Sequence, residues 1–200
     1  MKNSWLLILC LLAFNSAHAL FEARLTYGVL ASKPDLASIY NGSTSVPAVA
    51  PNAGIGFDAI FVVPIIGIGG GLRYENMGFN ASSGSLEYKS QVTRTSLIVN
   101  YRLINTLIYL GPIATLGMSH SNSMKWKEGA ASADFSPDSA SSYSMGLEAG
   151  VGLMGFIVGA EAGYQNMKWN KVKDATGTFT GTPDLDMSGT YVKIVLGFGI

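Results

Sequence analysis

Eight stretches of this chain alternate between two series of residues, and one of the two series never carries a charge. At the C-terminus Val192, Ile194, Leu196, Phe198 and Ile200 alternate with Lys193, Val195, Gly197 and Gly199. Near the start Phe21, Ala23, Leu25, Tyr27 and Val29 alternate with Glu22, Arg24, Thr26 and Gly28. The same period runs through 54–63, 68–75, 93–102, 108–118, 143–153 and 156–164. Period 2 places each series on its own face of a β-strand, so the chain is expected to be all-β. All four arginines (Arg24, Arg73, Arg94, Arg102) fall on the second series, with Glu22, Asp58, Glu75, Glu148, Glu161 and Lys193. That face therefore carries five charges of each sign, and the other face none.

Composition narrows the class. Charged residues are 13% of the 200 and apolar residues 48%, whereas soluble domains carry about 25% charge. A disordered chain would be more polar. Nucleic-acid binding through a basic surface is excluded by a net charge of zero.

Which face points outward is read from connections and aromatics. Short connections fall near Pro64-Ile65, Leu103 to Thr106 and Leu153 to Gly155. Long polar ones run over Ala31 to Asn52, Met77 to Glu87, Ser121 to Ser141 and Lys168 to Ser188. Short turns at one end and long loops at the other form the pattern of a membrane-spanning barrel. Phe21, Phe61, Tyr101, Phe156 and Phe198 lie on the apolar series toward the short turns. Tyr27, Phe57, Tyr74, Tyr143 and Tyr164 lie on the same series toward the long loops. Two aromatic belts at two heights match the interfaces of a bilayer. A soluble sandwich would turn its charged face to water. A helical span over 103–124 is interrupted by Gly111-Pro112. The expected architecture is an eight-stranded antiparallel up-and-down transmembrane β-barrel.

Residues 1–19 read as a cleavable signal peptide: Lys2, an apolar run from Trp5 to Phe14, then Ala17-His18-Ala19 as the cleavage site. The barrel domain is expected over 20–200. Cleavage removes Cys10, the single cysteine, and leaves His120 as the remaining histidine. No thiol chemistry, zinc site or cofactor is expected.

In this pattern the chain resembles the small eight-stranded outer-membrane β-barrels of the OmpX and OmpA transmembrane-domain type. Its last strand, Lys193 to Ile200, is similar to that family's assembly signal. Val195 stands where a glycine is usual, and Phe198 lies two residues before the end. The resemblance implies export through the periplasm to the outer membrane of a Gram-negative cell. It also implies handling by the barrel-assembly machinery, contact with outer-membrane lipids and lipopolysaccharide, and a monomeric state.

An eight-stranded interior is about filled by side chains. Many inward positions are glycine, which leaves room for long arginines. Arg24, Arg73, Arg94 and Lys193 are expected to interleave with Asp58, Glu75, Glu148 and Glu161 as an ion-paired plug, since unpaired buried charge is costly. A turn at Pro64-Ile65 puts Asp58 and Arg73 in diagonal reach. A two-residue turn at Met154-Gly155 puts Glu148 opposite Glu161, a like-charge pair that needs Lys193 and Arg24 nearby or a bound proton. The resemblance implies that such a cluster can act as a gate.

Met124-Lys125-Trp126-Lys127 and Met167-Lys168-Trp169-Asn170-Lys171 echo each other. They are expected to be interfacial tryptophans with solvated lysines. A sharper expectation is that Lys125, Lys127, Lys168 and Lys171 contact lipopolysaccharide phosphates. His120 invites comparison with outer-membrane lipid A deacylases, but its neighbours Ser119 and Ser121 fall on the opposite face of a strand. It reads as a polar strand end, and no catalytic residue is expected. Two functional classes stay open: a non-enzymatic surface barrel for membrane integrity, adhesion or partner binding, and a small pore or transporter. Inward charge favours the first.

Overall fold

The computed structural model describes residues 21–39, 48–63, 66–175 and 181–200. The expected signal peptide and the Pro64-Ile65 turn lie outside the described residues. Eight long strands are present: β1 (Phe21–Ser32), β2 (Val49–Val63), β3 (Ile68–Ser83), β4 (Leu86–Tyr101), β6 (Ile108–Glu128), β7 (Ala131–Leu153), β8 (Phe156–Asp174) and β10 (Gly189–Gly199). Two short strands, β5 (Ile104–Asn105) and β9 (Leu185–Asp186), pair with β6 and β8 respectively. Each long strand pairs antiparallel with the next, and β10 closes the ring by pairing with both β8 and β1. Among the described residues, closure leaves no free sheet edge in the apolar zone, which is the condition for a β-structure to cross lipid.

The alternation decides the orientation of the wall. All ten belt aromatics are exposed on the outer surface. Rows of neighbours form each belt: Phe21 faces Phe61, and the Phe156 and Phe198 rings meet edge to face at 5.4 Å. The opposite series turns inward, and its ten charged residues are all buried.

The β2–β3 register differs from expectation: its described ladder runs to Val63 opposite Ile68. Asp58 therefore sits directly across from Arg73 rather than diagonal to it. The β7–β8 turn does have two residues: Met154 (φ 52°) and Gly155 (φ 85°), with Glu148 directly opposite Glu161. Positive φ at both positions matches the twist of a two-residue hairpin.

Two of the four long connections, 77–87 and 121–141, are largely strand, which corrects the loop assignment there. β3 and β4 run on to a tip at Gly84, and β6 and β7 to a tip at Gly129, both glycines at positive φ. β6 has 21 residues and β7 has 23, about twice the length that crosses a bilayer. The reason is a second core. Above the bilayer zone the inward positions become apolar: Phe79, Leu86, Tyr88, Met124, Trp126, Phe135, Met167 and Trp169 form one buried cluster, which Leu36 and Ile39 join. Burial of these side chains holds the strands paired beyond the lipid.

Two irregularities bring the β6 and β7 members, Met124, Trp126 and Phe135, to the inside. Between Thr95–Ser119 and Ser96–Gly117 the β4–β6 register shifts, leaving Met118 as an extra residue. A bulge exchanges the two faces downstream of it. On β7 and β8, Asp138 and Lys171 fall out of the ladder, with Lys171 at φ 52°.

Candidate functional site

The interior is built from strand positions that face one another across the lumen. Lowest, near the short turns, Glu22 accepts from Arg24 Nη2 at 2.6 Å and from Arg102 Nη2 at 2.7 Å. Arg24 Nη1 reaches Glu148 Oε2 at 2.8 Å, and Asn100 donates to the other oxygen of Glu148. The Arg102 guanidinium lies 4.6 Å from the Tyr109 ring centroid, in cation–π range.

One layer up, Arg73 donates from Nε to Asp58 Oδ1 at 2.7 Å and from Nη2 to Oδ2 at 2.8 Å, a bidentate pair. The same guanidinium reaches Glu161 at 2.7 and 2.9 Å. Lys193 donates to Glu75 and lies 4.0 Å from Glu161. Arg94 Nε donates to Glu75 at 2.6 Å, and its Nη1 to Ser142 Oγ at 3.2 Å. Ser142 in turn meets His120 Nε2 at 2.8 Å.

The structure thus brings together all eight residues expected in the interior. Glu148 and Glu161, directly opposed, are served by different guanidiniums, Arg24 for the first and Arg73 for the second. Sequence reasoning placed Glu22 and Arg102 inward but left them out of the cluster. Their signal was available, since both lie on the charged series one step beyond Arg24 and Asn100. Asn100, Tyr109 and Ser142 were missed because neutral polar residues on a strand carry no such mark. Gly150 and Gly159 make room for Tyr109: a Cβ on either would lie 2.6 or 2.2 Å from the phenol oxygen.

Lys125, Lys127, Lys168 and Lys171 are all exposed. Trp126 and Trp169 between them are buried in the upper core, so the expectation of interfacial tryptophans is corrected. At Trp126 the bulge at Met118 reverses the facing. At Trp169 simple alternation from Tyr164 already points inward. His120 also differs from expectation: its serine partner comes from the adjacent strand β7, not from its own. That contact spans a break in the wall. The β6–β7 ladder stops at Leu116–Tyr143 and resumes in the same register at Met124–Phe135.

No protein-family model and no curated protein matches the chain. Solved structures do. The major outer membrane protein from Thermus thermophilus is 10% identical with a TM-score of 0.52, over 90% of this chain and 99% of that one. OprG from Pseudomonas aeruginosa is 14% identical with a TM-score of 0.51, over 92% and 98%. The outer membrane protease OmpT from Escherichia coli is 10% identical with a TM-score of 0.50, over 91% and 94%.

The fold is that of an outer-membrane β-barrel.

At these identities the likeness is one of fold, and the location this fold implies is the outer membrane. An outer-membrane β-barrel of eight strands has room for side chains but little else. The long contacts described above cross that narrow interior. Arg73 and Glu161 sit on β3 and β8, four steps apart in a ring of eight.

Proposed function

We propose that this chain is a non-enzymatic outer-membrane barrel whose interior ion pairs close the lumen and whose extended strands present a rigid surface outside the cell. In this reading it serves membrane integrity, adhesion or partner binding. The single observation that carries it is the pairing of Arg73 with Glu161 across the barrel at 2.7 Å. A guanidinium held between carboxylates from opposite walls leaves no straight path for water or ions. Exposed Lys125, Lys127, Lys168 and Lys171 would contact lipopolysaccharide, β10 would engage the assembly machinery, and the barrel would act as a monomer.

Single-channel recording in planar bilayers tests the closure. The wild-type protein is expected to show no stable conductance, and Arg73→Ala with Glu161→Ala is expected to open one. A steady wild-type current, together with swelling of liposomes in small sugars, would favour the pore reading instead.

A further inference from the structure

The outer wall above the belt carries a cleft of about 590 Å³. It opens between β2 and β7, and its floor is Gly78. No side chain rises there, and a Cβ would meet the Ser90 carbonyl oxygen at 2.1 Å. The rim is polar: Asn52, Asn76, Asn80, Gln91, Lys89 and Lys125. Its lowest member, Asn76, is one outward step above the belt residue Tyr74. The cleft therefore begins where lipid tails end and headgroups start.

Charge gives the cleft its sign. Lys89 and Lys125 are direct cross-strand partners on the exposed face. Like charges in that position repel. Each has an acidic neighbour: Glu87 bridges Lys89 at 2.7 Å, and Asp134 faces Lys125. The Glu87 bridge is solvent-exposed, with 60% and 38% of the two side chains accessible, so it is weak and exchangeable. With Lys127 beside Glu87, three ammoniums stand against two carboxylates. The β8 lysines differ. Lys168 faces Asp186, and Lys173 bridges Asp138 at 2.7 Å.

We propose that this cleft binds the phosphorylated saccharide headgroup of an outer-leaflet glycolipid. A phosphate sits between Lys89 and Lys125, and sugar hydroxyls meet the amides of Asn76, Asn80 and Gln91. The acyl chains lie against the apolar wall below, along Tyr74 and Leu72, both exposed. The proposal rests on the outer-membrane reading and sharpens the lysine contact. It adds Lys89 and the amides to Lys125.

The test uses the full barrel in detergent with lipid A, a diphosphorylated acylated disaccharide, scored by native mass spectrometry. Lys89→Glu with Lys125→Glu is expected to lower occupancy about tenfold, from loss of two charge-assisted contacts. Lys173→Glu, at the lysine that bridges Asp138, is expected to leave it near wild type. Dephosphorylated lipid A should bind as weakly to the wild type as lipid A does to the first variant. Equal loss in both variants, or none in the first, would overturn the proposal. Displacement of lipid A by millimolar inorganic phosphate would overturn the lipid as its source. Heat-modifiable gel mobility confirms that each variant folds. Conductance reads the lumen alone, so failure here and failure of the closed-barrel reading remain distinguishable.

Discussion

Arg73 on β3 and Glu161 on β8 meet across the barrel, Nη2 2.7 Å from Oε2, while Asp58 holds the other side of the same guanidinium. Among the described residues, neither carboxylate has another arginine within bonding distance. Removing Arg73 therefore leaves two buried carboxylates short of a partner, whereas removing Glu161 leaves Arg73 still paired.

Arg73→Met is accordingly expected to destabilise the barrel by about 3–5 kcal/mol, the cost of breaking a buried pair from one side. Glu161→Gln should cost clearly less. Urea unfolding in detergent micelles measures both. Equal losses would mean that Asp58 does not hold the guanidinium alone.

Tyr109 lies over the backbone of Gly159 and below the two arginines of the lower cluster. Gly159→Val places a branched side chain in the phenol's position, and overpacking of this kind costs about 1–3 kcal/mol. Tyr109→Ala should relieve part of that cost in the double variant. A double-mutant cycle with no coupling would contradict the contact.

The break in the β6–β7 ladder predicts where the wall opens first. Amides of residues 117–123 and 136–142 that point into the gap have no ladder partner, although His120 and Ser142 bridge it at 2.8 Å. Hydrogen exchange should be fast at those amides and slow over 108–116, since local opening follows local bonding. His120→Ala should speed it further. Uniform protection along β6 would rule the break out.

Trp126 and Trp169 are buried in the upper core, the second at 0% exposure. Lipids with brominated acyl chains quench tryptophans that touch the bilayer. Here they are expected to leave emission nearly unchanged, and aqueous iodide should do the same. Strong quenching by the brominated lipid would place these rings at the interface.

The legibility of the sequence varied with height along the barrel. Through the bilayer zone the environment changes sharply between faces, from hydrocarbon to a closed interior, so selection on each position leaves period-2 alternation. Arg24, Arg73, Glu148 and Glu161 could be placed inward from that rule alone. Pairing partners were less legible, because a contact from β3 to β8 depends on ring closure and lumen width. Asp58 was misplaced by one step for a local reason: the β2–β3 register sets Val63 opposite Ile68, which puts Asp58 directly across from Arg73.

Above the bilayer the rule failed because both faces changed. The outside is water, so lysine and serine replace leucine, while the inside becomes an apolar core. In one dimension this mixture looks like loop. The bulge at Met118 hides it further, since one extra residue sends Trp126 inward and Lys125 outward. What the sequence by itself determined is the strand set, the lipid-facing series and the sign-balanced interior, all of which follow from facing along a single strand. What only the tertiary structure decided is which charges meet, where the wall parts between β6 and β7, and which lysines stand together. Those depend on register and curvature among strands distant in the chain, and a single residue of slip reverses a face.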